Sequence, residues 1–329
     1  MMGWKQLRLP VAVLLVTLLA ACGRPGEQSS SAGALASADA GSSIVAQVAS
    51  YQLVAKRPGR LMVAILSADN RWVSFGSTMM SFAYLGSKAG TPRSDGQVPP
   101  VRAAFLPIPG TPQGAGRPST LTAPADGRGL YAVEPITFPV AGYWQVTASG
   151  ELDDGTAFSA DAAFEVLSKP VLPMPGDRAL KSDNPLIGAA DASPAAIDSR
   201  AVTEGKIPDP ELHSVSIAQA ISAGHPALVV FSTPVYCVSR FCGPVTDMVA
   251  DLAHRYAGRA DFIHVEIYED FDAGKINRTA SEWLQAPDGE LREPWVFLIG
   301  ADGRIDASWD TMVTRDEIEP LLRALPKRK

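Results

Sequence analysis

Length, composition and charge narrow the class of protein. The 329 residues are 46% hydrophobic, and 29 Lys and Arg stand against 35 Asp and Glu, which gives a net charge of −6. An acidic chain of this kind excludes nucleic acid and anionic surfaces as its main partners. The length predicts about two domains, with enough apolar residues to bury a core.

The first residues have the pattern of an export signal. Lys5 and Arg8 precede an apolar run over residues 11–20, which is about half the length needed to cross a bilayer as a helix. The run leads into Leu-Ala-Ala-Cys at Cys22, which resembles the lipobox of bacterial lipoproteins. The resemblance implies a cleaved signal peptide at 1–21 and a lipidated Cys22 held by membrane lipid. The protein is therefore predicted to be extracytoplasmic and anchored to the cell membrane, or to the outer membrane if the organism has one.

Residues 22–43 and 44–167 differ in composition. The first stretch is small and polar, cannot bury apolar area, and is predicted to be a flexible tether. In the second, short apolar or alternating runs are separated by turn signals, which predicts a β-sandwich of immunoglobulin-like size. Asp-Asp-Gly-Thr at 153–156 predicts a hairpin turn, since glycine supplies the positive φ. Residues 86–128, rich in glycine and proline, are predicted to be a long connection.

Residues 168–212 have the composition of a linker. They contain seven prolines and offer little apolar surface. The sequence therefore predicts a boundary between two independent domains. A fragment that begins near Pro208 is expected to fold by itself.

The last segment, residues 213–329, alternates helical and strand patterns. A buried strand at 227–231 is followed by an amphipathic helix at 244–256. Thr314 and Glu317 form the capping box of a final helix. The complete order, α-β-α-β-α-β-β-α, resembles that of thioredoxins and implies a thioredoxin-like α/β domain.

Two motifs strengthen this resemblance. Phe241-Cys242-Gly243-Pro244 is similar to the Trp-Cys-Gly-Pro of thioredoxins and follows a buried strand. Pro294 precedes a later strand, where thioredoxins carry a cis-proline that faces the active cysteines. The resemblance implies that Cys242 is the attacking cysteine. Proline is well tolerated in a first helical turn, so Cys242 is predicted at a helix N-terminus, where unpaired amides depress a thiol pKa.

Val245 stands where thioredoxins have their second cysteine. The remaining partner is Cys237, five residues before Cys242, and two such thiols in an oxidising compartment are predicted to form one redox-active disulfide. In this assignment Cys237 is the resolving cysteine. Arg240, between the two, is a further candidate for stabilising a thiolate.

Three other interpretations remain open. Thr233-Pro234 ahead of Cys-x4-Cys resembles peroxiredoxins of the Q type, which implies a thiol peroxidase. Two cysteines after the first strand, with a distant histidine, resemble copper chaperones of the Sco type; His264, His225 and His213 are the candidate ligands. The disulfide could instead brace a loop in a non-enzymatic binding module.

The leading prediction is a membrane-tethered thiol-disulfide oxidoreductase with Cys237 and Cys242 as its catalytic pair. Its expected partners are exported thiol proteins, small thiols or a redox partner. The residues predicted to support the pair are Arg240, Gly243, Pro244 and Pro294. No cofactor is predicted, no residue is assigned as a metal ligand, and nucleic acid is excluded as a partner.

Overall fold

The computed structural model describes residues 44–88, 97–111, 114, 116–123, 125–126 and 129–327. The predicted signal peptide, Cys22 and the predicted tether lie outside these residues. Within the described part of the chain, no helix is long and apolar enough to cross a membrane. The described residues form an antiparallel β region followed by a mixed α/β region, and both belong to one compact unit.

The N-terminal region consists of β-strands, as the sequence predicts, and the described strands form one antiparallel sheet. Its strands are β1 Ile44–Val48, β2 Pro58–Ser67, β3 Trp72–Ser74, β4 Ser77–Gly86, β5 Val101–Pro107, β6 Thr120–Thr122, β7 Gly129–Thr137, β8 Gly142–Glu151 and β9 Ala157–Val166. Over the described residues the strand order is β6-β3-β2-β7-β5-β4-β8-β9, with β1 paired to β2. Strands β5 and β6 lie within residues 86–128, so the prediction that this stretch is one long connection was wrong.

Alternating burial along the strands builds the core of the β region. In β9 the buried side chains are Phe158, Ala160, Ala162, Phe164 and Val166, and most of the residues between them are exposed. Burying one phenylalanine side chain stabilises a fold by about 1.5–3 kcal/mol. Strand β1 packs against β9, so the sheet encloses this core.

The predicted hairpin turn joins β8 to β9. Gly155 has a positive φ of 83°, and its amide donates to the carbonyl of Leu152 at 2.9 Å. A side chain at this φ would be strained, which is why glycine occupies the position.

Residues 168–212 are packed against the α/β region. They contain helix α1 Pro194–Ile197, helix α2 Ala201–Glu204 and a 3-10 helix Pro210–His213. Leu172 and Leu212 belong to the two cores of the α/β region, and Asp198 is fully buried. The composition is that of a linker, but a few apolar side chains are enough to fix the segment in place.

The α/β region has the order of main elements that the sequence predicts. Its elements are α3 Ile217–Ala223, β10 Ala227–Ser232, α4 Cys242–Arg255, β11 Asp261–Glu266, β12 Tyr268–Asp270, β13 Lys275–Ile276, α5 Arg278–Leu284, β14 Trp295–Ile299, β15 Ile305–Asp310 and α6 Arg315–Ala324. The main sheet has the order β11-β10-β14-β15. Strand β10 is parallel to β11 and antiparallel to β14, and β12 with β13 forms a separate hairpin.

Strand β10 is buried on both faces, as expected for a strand between two helical layers. Val229 and Phe231 pack with Trp283 of α5 in one core. Leu228 and Val230 face the opposite core, which α4 and α6 complete. The strand therefore carries the cysteine loop at its C-terminal end on a rigid support.

The β region contacts the α/β region directly. Arg60 is only 6% exposed; it lies 2.7 Å from Glu317 and donates to the carbonyl of Met312. Thr311 donates to the carbonyl of Ala49 at 2.7 Å. Beside these bonds lies a small apolar cluster, the inter-region cluster, formed by Met62, Ala64, Ile108, Leu130, Phe241 and Met312.

Candidate redox site

A disulfide lies where β10 leads into α4. Strand β10 ends at Ser232 and α4 begins at Cys242, which leaves residues 233–241 as a loop. Cys237 in this loop is bonded to Cys242, and their Cα atoms are 6.1 Å apart. The predicted pairing of the two cysteines is confirmed.

Cys242 is the first residue of α4, and the helix begins two residues earlier than predicted. Gly243 and Pro244 follow within the first turn, where proline removes no helical hydrogen bond. The free amides and the helix dipole at this end favour negative charge on Cys242. Arg240 is exposed and has a positive φ of 65° in the loop just before the helix.

The two sulfurs differ in accessibility. Cys242 is 0% exposed, whereas Cys237 is partly exposed, with the Oγ of Ser239 3.1 Å from its Sγ. Val238, next to Cys237, is 96% exposed. An external thiol therefore reaches Cys237 more easily than Cys242, which is not what the resemblance implied for an attacking cysteine.

A half-buried carboxyl group faces the disulfide. Oε2 of Glu293 lies 3.6 Å from Sγ of Cys242. Burial raises the pKa of the Glu293 carboxyl to about 8, and the neighbouring Glu266 carboxyl adds to the shift. A half-cystine sulfur has no proton to donate, so the protonated carboxyl is the donor in this contact.

Pro294 follows Glu293 at the start of β14. It is buried, and the Glu293–Pro294 peptide bond is cis, as the sequence predicts for this proline. The hydroxyl of Tyr51, from the β region, donates to the carbonyl of Glu293. Sequence reasoning missed Glu293; the only signal was a carboxyl group directly before the predicted cis-proline.

A second carboxyl group, which is fully buried, lies behind the first. Glu266, at the end of β11, is 1% exposed and accepts from the amides of Ser199 and Ile267, each at 2.8 Å. Burial raises the pKa of the Glu266 carboxyl. Ser199 also accepts from the amide of Val235 at 3.2 Å, so the segment before the α/β region holds the cysteine loop.

The three candidate histidines are separate from the cysteine pair. His213 and His264 lie together beside Asp198, and His225 lies 3.0 Å from Asp261. Among the described residues, the group of potential ligands that contains the cysteines is completed by Glu293 and includes no histidine.

The arrangement supplies an accessible sulfur, a buried sulfur at a helix N-terminus, and a carboxyl group that holds a proton at neutral pH. These three features are suited to opening and closing a disulfide with proton transfer. No protein-family model and no curated protein matches the chain.

Proposed function

We propose that the protein is a membrane-anchored, extracytoplasmic lipoprotein whose α/β region is a thioredoxin-like thiol-disulfide oxidoreductase. The proposal is carried by the disulfide between partly exposed Cys237 and buried Cys242 at the start of α4. The mixed sheet, in which β10 lies between a parallel and an antiparallel neighbour, supports a thioredoxin-like fold. The lipobox-like sequence at Cys22 supports the anchor.

The β region is proposed to be an immunoglobulin-like module that supports the redox site. Its size and its enclosed core favour that comparison. It differs from a two-sheet sandwich because hydrogen bonds link the described strands into one sheet. Residues 44–167 and 213–329 remain the proposed domains, with 168–212 fixed onto the second.

Exchange begins when a substrate thiolate attacks Sγ of Cys237. A substrate–Cys237 bond forms, the Cys237–Cys242 bond breaks, and the electron pair leaves on Cys242 as a thiolate. The N-terminus of α4 stabilises this thiolate. A second thiolate of the substrate then attacks the substrate sulfur of the mixed disulfide. The substrate is released with a disulfide, and the protein keeps the two electrons as a dithiol.

Glu293 is proposed to balance the proton in this exchange. Its carboxyl lies 3.6 Å from the Cys242 sulfur and, with a pKa of about 8, is protonated at neutral pH. When Cys242 leaves as a thiolate, the carboxyl proton moves to sulfur, which leaves a thiol and a carboxylate. In the reverse direction the carboxylate removes the proton from Cys242.

Exposed apolar side chains beside Cys237 favour a polypeptide substrate over a small thiol. Val238 is 96% exposed, and Phe271, which is 42% exposed, stacks on Tyr236 with ring centroids 3.8 Å apart. Asp270 and Asp272, on either side of Phe271 in the hairpin of β12 and β13, are also exposed. An apolar patch with acidic neighbours fits a cysteine that is flanked by apolar and basic residues, as in an unfolded segment of an exported protein.

Trapping of a mixed disulfide tests the exchange. Cys242→Ser and Cys237→Ser, both in a Cys22→Ala background that leaves no third thiol, are mixed with a peptide disulfide. We expect a stable adduct with Cys242→Ser and at least tenfold less with Cys237→Ser, because only Cys237 is accessible. Stronger trapping with Cys237→Ser would reverse the assigned roles, and equal trapping would refute the assignment by accessibility. If the reduction potential of the wild-type disulfide lies below about −300 mV, the disulfide is structural and the enzymatic proposal fails.

A further inference from the structure

A second cluster of polar side chains is buried away from the disulfide. Asp198 follows α1, His213 ends the 3-10 helix, and His264 lies in β11. All three are at most 1% exposed. Their potential ligand atoms lie within 4.8 Å of one another. Three elements that are separate in sequence therefore meet at one point.

The ring of His264 is oriented by the backbone. Its Nε2 lies 3.0 Å from the carbonyl oxygen of Ser232, so Nε2 carries the proton and donates it. The opposite atom, Nδ1, is buried and has no hydrogen-bond partner. It lies 3.3 Å from Oδ2 of Asp198. A buried ring nitrogen without a hydrogen-bond partner therefore faces a carboxylate oxygen, an arrangement that a cation between them would satisfy.

Donation from the second ring nitrogen to a backbone carbonyl is the usual arrangement of a metal-binding histidine. The distances from the histidine nitrogens to Asp198 also fit a metal site. Nε2 of His213 is also 3.3 Å from Oδ2 of Asp198. Charge-assisted hydrogen bonds in a buried pair are shorter, about 2.7–2.9 Å. By contrast, ligand atoms at ~2.0–2.1 Å from a tetrahedral zinc ion lie ~3.3 Å apart.

The charges around Asp198 favour binding of a cation. Arg200 binds Asp198 at 2.7 Å but also binds Asp209 at 2.9 Å and Asp247 at 3.1 Å. One guanidinium is thus shared by three carboxylates, of which Asp198 is the one with a fully buried side chain. A divalent cation beside Asp198 would supply further positive charge at this buried carboxylate.

We propose that Asp198, His213 and His264 bind a zinc ion. Two imidazoles and a carboxylate suit zinc better than copper(I), which prefers thiolates. The three ligands leave one position of a tetrahedron for water. The ion would fasten the segment before the α/β region to β11, because Asp198 and His213 belong to that segment and its end and His264 to the strand.

Metal content and chelation test the site independently of the redox chemistry. The full chain is purified with its disulfide oxidised, so that the cysteines cannot bind zinc as thiolates. Elemental mass spectrometry should detect about one zinc ion per chain. Removal of the zinc by a strong chelator should lower the melting temperature. A folded chain that carries no zinc, takes up none, and melts at the same temperature with and without chelator overturns the proposal.

Variants locate the ion. His213→Gln is expected to weaken zinc binding at least tenfold, and its melting temperature should no longer respond to chelator. His225→Gln is the matched control, because His225 also lies beside an aspartate but is 43% exposed. It should bind zinc as the wild type does. The double variant Cys237→Ser/Cys242→Ser should also retain zinc; loss of zinc there would place the ion at the cysteines and refute the assignment.

Discussion

The variant Glu293→Gln tests whether Glu293 is protonated in the folded protein. A carboxyl that keeps its proton on folding makes the free energy of unfolding depend on pH. In the folded protein, burial raises the pKa of Glu293 from 4.5 to about 8. A carboxyl whose folded pKa is raised binds its proton more tightly in the native state. Its stabilising contribution is therefore complete below pH 4.5, and it is lost as the pH rises towards 8.

The size of this loss follows from the shift. One pH unit between the unfolded and folded pKa values corresponds to about 1.4 kcal/mol. As the pH rises from 4.5 to 7, the Glu293 side chain therefore lowers the free energy of unfolding of the wild type by up to about 3 kcal/mol. Glutamine has nearly the same size and does not titrate. Over the same pH range, the free energy of unfolding of the variant should therefore rise by this amount relative to that of the wild type.

The measurement is urea unfolding of both oxidised proteins at several pH values between 4.5 and 8. The wild-type curve contains other titrating groups, but these cancel in the difference between the two proteins. Glu290→Gln is the control, because Glu290 is an exposed glutamate three residues away and should leave the curve unchanged. Parallel curves for Glu293→Gln and wild type would mean that Glu293 is ionised in the folded protein. Its role as a proton donor to Cys242 would then be refuted.

Four further outcomes are expected. Arg60→Met should lower the free energy of unfolding by about 1–3 kcal/mol in urea melts, because it leaves the buried carbonyl of Met312 and the half-buried Glu317 without this partner. Arg71→Met, at an exposed pair, should cost under about 1 kcal/mol. Phe241→Ala should destabilise by about 3–5 kcal/mol and speed reduction of the disulfide by dithiothreitol. A fragment beginning at Pro208 should lack a cooperative thermal transition, which calorimetry would detect. Cys22→Ala should remove the lipid from the intact mass of the membrane-extracted protein.

The α/β region was predictable because its signals are local. A strand buried on both faces reads as a continuous apolar run, and β10 and β14 do so. The helix after the cysteine loop was visible from its apolar face, and Pro244 marked its first turn. The turn at 153–156 was also predictable from a local signal, because glycine supplies the positive φ that the turn requires.

The two packed stretches that sequence reasoning left without structure depend on distant partners. Strand β6 has three residues, and it is defined by pairing with β3 about fifty positions earlier. Leu172 and Leu212 are isolated apolar residues among prolines, so no periodic pattern identifies them as core residues. The fragment beginning near Pro208 was expected to fold alone for that reason. The burial of Asp198 and Ser199 argues against it.

Glu293 and the separate buried cluster of Asp198, His213 and His264 were equally hidden. A single glutamate before a proline gives no sign that it is half-buried beside a sulfur. Asp198, His213 and His264 come from three separate elements, and their spacing matches no metal-binding motif. The cysteines, the helix start and Pro294 were accessible because they lie in contiguous motifs.

The β region fixes both sides of Cys242, which argues against its being only a spacer. On one side, Phe241 is buried in the inter-region cluster with side chains of β2 and β7. On the other side, Tyr51 donates to the carbonyl of Glu293, whose carboxyl faces the sulfur. In the proposed exchange, where Cys242 leaves as a thiolate, neither the start of α4 nor the carboxyl can move away without breaking these contacts. We therefore propose that the α/β region supplies the cysteines, and that its contacts with the sheet keep sulfur and carboxyl close enough for proton transfer.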